Sequence, residues 1–204
     1  MSEASTFANP LKVGPTIVVA AVGEADGARG AAAALACAGA DIDLATLFVD
    51  VGGRAPRPAL LASASAQELE ERLRAHLPDA KVAARGQVCH LTVPAGAEGL
   101  ETAATATTVA RGATAVVYVP PQLLQEALES GLRPSGVLLR VELAENRPLL
   151  ALAARDLLGR GLAFAVLKRR LNWVAERRAL FGALPDGSQG GLPPRLVRRL
   201  GISA

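Results

Sequence analysis

Six short apolar runs, each bounded by glycine, proline or a change to polar spacing, punctuate the chain between residues 16 and 167. The first, residues 16–22 (TIVVAAV), is continuous and β-branched, as a strand buried on both faces requires. The others are Thr46–Val51 (TLFVDV), Val88–Val93 (VCHLTV), residues 113–119 (ATAVVYV), residues 137–141 (VLLRV) and residues 162–167 (LAFAVL). Helical stretches fall between them. An alanine-rich helix over residues 31–38 ends at Gly39, and Ser65 with Glu68 three residues later gives a capping box for a helix reaching about Leu77. Further helices are expected over residues 98–111, from Pro120-Pro121 to Gly131, and from Pro148 to Leu158. This alternation predicts an α/β fold: a doubly wound, mostly parallel sheet with helices on both faces.

The pattern divides the chain into an N-terminal segment (1–14), an α/β domain (15–167) and a basic helical extension (168–204). In the extension Leu171, Val174 and Phe181 share one helical face, with Arg169, Arg170, Arg177 and Arg178 elsewhere. Charge follows this division. The formal net charge is only +3, but residues 1–150 hold 12 basic and 16 acidic side chains, against 10 and 3 in residues 151–204. Lys168, Arg169, Arg170, Trp173, Arg177 and Arg178 are therefore the candidate contacts to a partner or an anionic membrane surface. Aromatics make up 3% of the chain, and Trp173 is the one candidate for base stacking near the arginines, which disfavours nucleic acid as a partner. Half of the residues are apolar and mean hydropathy is +0.29, so the chain as a whole is a folding sequence. No run approaches the roughly 20 apolar residues of a membrane span and no signal-peptide pattern opens the chain, so the cytoplasm is the expected location. Two cysteines, Cys37 and Cys89, are too few for a disulfide framework or a four-cysteine zinc site, and no metal is expected.

The turn after the first strand, residues 23–30, stands where a phosphate-binding loop would stand, at the opening of a helix whose N-terminus favours anions. In G-x-x-x-x-G-K-[S/T], backbone amides surround the phosphates, the lysine neutralises them and the hydroxyl holds Mg²⁺. That spacing places Gly23 at the first glycine, Ala28 at the second, Arg29 at the lysine and Gly30 at the hydroxyl position, with Gly27 also in the turn. The segment VVAAVGEADGARGAAAALA, together with LFVDVGG and Asp50 at its acidic position, resembles the MinD, ParA and CpaE group of P-loop proteins. The resemblance implies a P-loop NTPase-like fold, with Gly23, Gly27, Arg29, Gly30 and Asp50 at the nucleotide-site positions. It also implies a role in positioning or assembly at a membrane or cell pole.

The chemistry departs from that pattern. Glu24 occupies the position of the group's signature lysine, Asp26 lies close by, and Gly30 offers no hydroxyl. At 4 Å, like charges repel by about 1 kcal/mol in water and about 4 at an effective dielectric of 20. The third strand, where the group carries its Mg²⁺-associated aspartate, has no carboxylate. Lost ATPase machinery and no bound cofactor are the expectation. Elsewhere, Cys89 and His90 are adjacent on a strand and point to opposite faces, which is poor geometry for a nucleophilic dyad. His76 is placed to meet helix-terminal carbonyls, and Asp41 with Asp43 reads as a solvated turn.

The first functional expectation is thus a degenerate P-loop-like domain that works through an unidentified protein partner, with a homodimer open. The alternative is a small-molecule or nucleotide-binding enzyme whose pocket lies at the strand ends, formed by residues 23–30, Asp50 and residues 94–99. A further alternative makes the basic extension a membrane-surface or DNA anchor.

Overall fold

The structure is a computed structural model that describes residues 14–22, 27–40, 45–53, 61–141 and 147–167. Among the described residues seven strands form one sheet: β1 (Thr16–Ala21), β2 (Thr46–Val51), β3 (Lys81–Arg85), β4 (Val88–Val93), β5 (Thr114–Val119), β6 (Gly136–Arg140) and β7 (Phe164–Leu167). The helices are α1 (Ala28–Ala40), α2 (Ala64–His76), α3 (Ala97–Val109), α4 (Leu124–Glu129), entered through a 3₁₀ turn at Pro121–Leu123, and α5 (Arg147–Gly159). The sheet order is β3-β4-β2-β5-β1-β6-β7, with only β3 antiparallel to its neighbour. The doubly wound α/β expectation holds. Numbered in chain order, the parallel strands run 3-2-4-1-5-6, which is neither the dinucleotide-binding order nor the flavodoxin order.

This order dictates where the helices lie. From β1 the chain steps towards the β4 side to reach β2, whereas β4 to β5, β5 to β6 and β6 to β7 all step the other way. Right-handed crossovers in opposite directions need helices on opposite faces. Accordingly α1 packs with Ile17, Val19, Phe48, Val116 and Leu138 on one face. Residues of α3, α4 and α5 join Val18, Val49, Leu91, Val117 and Leu139 on the other. Helix α2 leads into the antiparallel β3, where the crossover rule does not apply, and its Leu69 and Leu73 join this second layer. Among the described residues, α1 is alone on its face.

Three expectations change. Helix α1 starts at Ala28 and runs through Gly39 to Ala40 instead of stopping at Gly39. Gly39 serves close packing, since a Cβ there would stand 3.1 Å from Thr46 Oγ1. The α2 cap is Ser63, not Ser65: Ser63 Oγ accepts from the Ala66 amide at 3.3 Å, while Ser65 lies inside the helix. Ser63 is held in place because its own amide donates to Gly86 O at 2.7 Å in the β3–β4 turn. Strand β3 was not anticipated. Its sequence KVAAR has weak strand propensity, and pairing with β4 across the tight Gly86 turn is what forms it.

Candidate functional site

Sheet register gathers the polar groups at the C-terminal ends of the central strands. Asp50 of β2 sits between Thr92 of β4 and Tyr118 of β5, all on the α1 face. Position 50 points to that face because Leu47, Val49 and Val51 alternate onto the other. Arg29 reaches it from the first turn of α1, placing Nε 3.0 Å from Asp50 Oδ1. The same guanidinium donates from Nη2 to Gly52 O at 3.3 Å and lies over the Tyr118 ring, 4.8 Å from its centroid. His90 Nε2 is 4.0 Å from Asp50 Oδ2, with its ring tilted against Phe48 at 4.8 Å. Gly53 closes the site from the β2 end. A Cβ there would fall 2.0 Å from Asp50 Oδ2, so only glycine admits the carboxylate where it lies.

Burial dominates the electrostatics. The Asp50 side chain is 5% exposed, and desolvation raises its pKa to about 6 even though the Arg29 charge and hydrogen bonding pull the other way. Burial first, then the charges of Arg85 and Arg29, lower His90 to about 4, so the imidazole is neutral at physiological pH. Tyr118 is raised, chiefly by burial. The Arg29 to Asp50 contact is short but its N–H is not well aimed, so Arg29 Nε, Asp50 Oδ1 and His90 Nε2 are buried without a well-formed hydrogen bond. Attraction between these groups is therefore mainly coulombic.

A cleft of about 430 Å³ opens beside this cluster. Gly53, Thr92 and Pro94 form one wall, the segment from His76 to Lys81 another, and Glu98 and Thr102 of α3 a third. Asp50 itself does not line it. Lys81, Asp79 and Glu98 give the cleft charge of both signs.

Of the nucleotide-site positions expected from sequence, Gly27, Arg29, Gly30 and Asp50 are described and Gly23 lies outside the described residues, as do Glu24, Asp26, Asp41 and Asp43. Gly27 has φ +82° and its carbonyl accepts from the Ala31 amide at 2.8 Å, so it starts α1. Gly30 is buried within the helix. The structure joins Arg29 to Asp50, a pairing the spacing did not reveal. Tyr118 and His90 complete the cluster. Neither could be assigned to it from sequence, because only the order β4-β2-β5 makes them neighbours of Asp50. Cys89 lies in the core on the opposite face, its thiol pushed up to about 12, first by burial and then by the Glu70 charge. The dyad geometry is absent, as strand alternation requires. His76 Nδ1 is 2.9 Å from Arg72 O, the helix-end contact expected.

Lys168, Arg169, Arg170, Trp173, Arg177 and Arg178 lie outside the described residues. Among the described residues no helix is long and apolar enough to cross a membrane, and no group of three or more His, Cys, Asp or Glu side chains could hold a metal ion. No family model and no curated protein matches the chain.

Proposed function

We propose that this chain is a P-loop-like α/β domain that has lost nucleotide chemistry and works by binding another protein, in the positioning or assembly of a membrane-associated machine. The observation carrying this reading is the contact between Arg29 and Asp50, 3.0 Å apart. Arg29 holds the position at which a phosphate-binding loop has its lysine, and here its charge faces a carboxylate of the same domain. A triphosphate would have to compete with Asp50 for that guanidinium. Breaking the contact leaves a charge buried without its partner, which is costly. Gly30 has no side-chain hydroxyl for Mg²⁺, and Val88–Val93 carries no carboxylate. Isothermal titration of ATP with Mg²⁺ is expected to show no binding in the micromolar range, and phosphate release no turnover. Micromolar affinity with steady hydrolysis overturns the reading.

The cleft beside Asp50 favours a second reading, a small-molecule binder or enzyme with its pocket at the strand ends. A thermal-shift screen of nucleotides and metabolites separates the two. A ligand at 100 times its Kd adds about 2.7 kcal/mol of stability, whereas the first reading predicts no shift from any of them.

A further inference from the structure

Strand β3 lies at an edge of the sheet and pairs with β4 alone among the described residues, yet its Val82, Ala83 and Ala84 are buried. An edge strand turns the N–H and C=O of every second residue away from the sheet, open to a further strand. On β3 those residues are Val82 and Ala84, and Gly86 continues the row into the β3–β4 turn. Helix α2 and the residues leading into it meet this row at each step. Gly86 donates to Leu61 O at 3.1 Å and accepts from the Ser63 amide at 2.7 Å, which makes a parallel bridge between Gly86 and Ala62. The Ala84 amide donates to Glu70 Oε2 at 2.7 Å, and Val82 O accepts from Arg74 Nη2 at 3.3 Å.

The spacing explains the fit. Leu69 and Leu73 point into the core, so Glu70 and Arg74, about 100° further round, stand on the flank of α2 that overhangs β3. Four residues of helix rise about 6 Å and two residues of strand advance about 6.5 Å, so side chains one helical turn apart land on successive outward residues of the strand. The two side chains are also ion-paired to each other. Together they offer Ala84 an acceptor and Val82 a donor. One residue of a neighbouring parallel strand would offer the same two groups through its own C=O and N–H. Glu70 is the better shielded of the two, with 18% of its side chain exposed against 61% for Arg74.

We infer that the Glu70–Arg74 pair stands in for a neighbouring strand and closes the β3 edge, so that a second copy of this chain cannot extend the sheet there. Lys81 and Arg85 place charge at the two ends of β3, but Val82 to Ala84 between them carry none. The α2 pair supplies charge at that unguarded centre, and it does so on the backbone groups through which a further strand would bind. An i, i+4 pair on a helix surface adds little to stability by itself. This one differs because both members also bond to the backbone of another element. The inference concerns the sheet edge and is independent of how the function of the domain is read.

Amide exchange and sedimentation velocity of the full chain test this. Glu70→Ala is expected to speed exchange of the Ala84 amide by roughly tenfold or more while the Val117 amide of β5 stays unchanged. Glu70→Gln keeps an oxygen acceptor and is expected to hold Ala84 closer to the parent rate. The double variant Glu70→Ala with Arg74→Ala is expected to associate more strongly than the parent between about 1 and about 200 micromolar, with an unchanged far-UV circular dichroism spectrum. Protection of Ala84 should then return as concentration rises. A folded double variant that sediments like the parent overturns the inference, as does association that leaves Ala84 unprotected. If the double variant does not fold, the single variants decide: an Ala84 amide that exchanges as fast in the parent and in Glu70→Gln as in Glu70→Ala overturns it, and the expected order of rates upholds it.

Discussion

One face of the sheet meets α2, α3, α4 and α5 through an apolar layer that includes Leu47, Val49, Leu91, Leu139, Leu69, Leu73, Leu100 and Leu157. The other meets α1 alone among the described residues, and towards the strand ends it turns polar, with Asp50, Thr92 and Arg140 buried and His90 and Tyr118 half-buried. Both faces grow from the same strands, so the difference is one of alternate positions, not of separate segments. The four-helix face holds the larger apolar cluster. The α1 face accepts groups that burial disfavours, and a fold retains such groups where something other than stability keeps them.

The strongest way to test this division is to cut into the four-helix face. Leu73 is fully buried there, and Leu73→Ala is expected to cost about 2 to 5 kcal/mol in urea unfolding through lost burial and a residual cavity. On the α1 face, a comparable cavity is not the issue; an orphaned charge is. Arg29→Met leaves the Asp50 carboxylate without its guanidinium, and the expected loss at pH 8 is roughly 2 kcal/mol, below the range for a fully buried pair because Arg29 is one-third exposed. The carbon-13 titration of the Asp50 carboxyl should then have its midpoint above 6.

Acid titration sharpens the comparison, because the α1 face holds two groups that work in opposite directions. Asp50 has a raised pKa of about 6, so its contribution is greatest below its unfolded value of 3.8 and is lost as pH rises through about 6. His90 is lowered from 6.5 to about 4, so its contribution is present above 6.5 and is lost as pH falls towards 4. Each amounts to roughly 3 kcal/mol, and the two largely offset in the wild-type chain. Urea melts at several pH values should separate them. Asp50→Asn is expected to lose stability on acidification below 6.5, and His90→Phe to gain it between 6 and 4. Parallel curves for both variants and the parent would show that neither group titrates as the geometry requires.

The smallest expected effect lies at the start of α2. Ser63→Ala removes the cap and should cost about 1 kcal/mol, whereas Ser65→Ala should cost almost nothing.

What could be read from sequence follows the same division. The strands that build the apolar layer were evident because each is a continuous apolar run, buried on both sides. Strand β3 was not, since Lys81, two alanines and Arg85 carry little strand signal and its pairing depends on the turn at Gly86. The choice between Ser63 and Ser65 as the α2 cap turned on a bond to that same distant turn. At the site, Arg29 and Asp50 could each be singled out from position along the chain. That they meet, and that Tyr118 and His90 join them, depends on strand order, which short-range patterns do not encode.

Gly53 and Asp50 also constrain each other across generations. While residue 50 is acidic and held by Arg29, position 53 tolerates no side chain, since even a methyl group would overlap Oδ2. Once Asp50 is replaced by alanine, the atoms nearest that Cβ are gone, and Gly53→Ala is expected to cost less than it does in the parent chain. In lineages that abandon this carboxylate, the change at 50 is therefore expected to come before a change at 53.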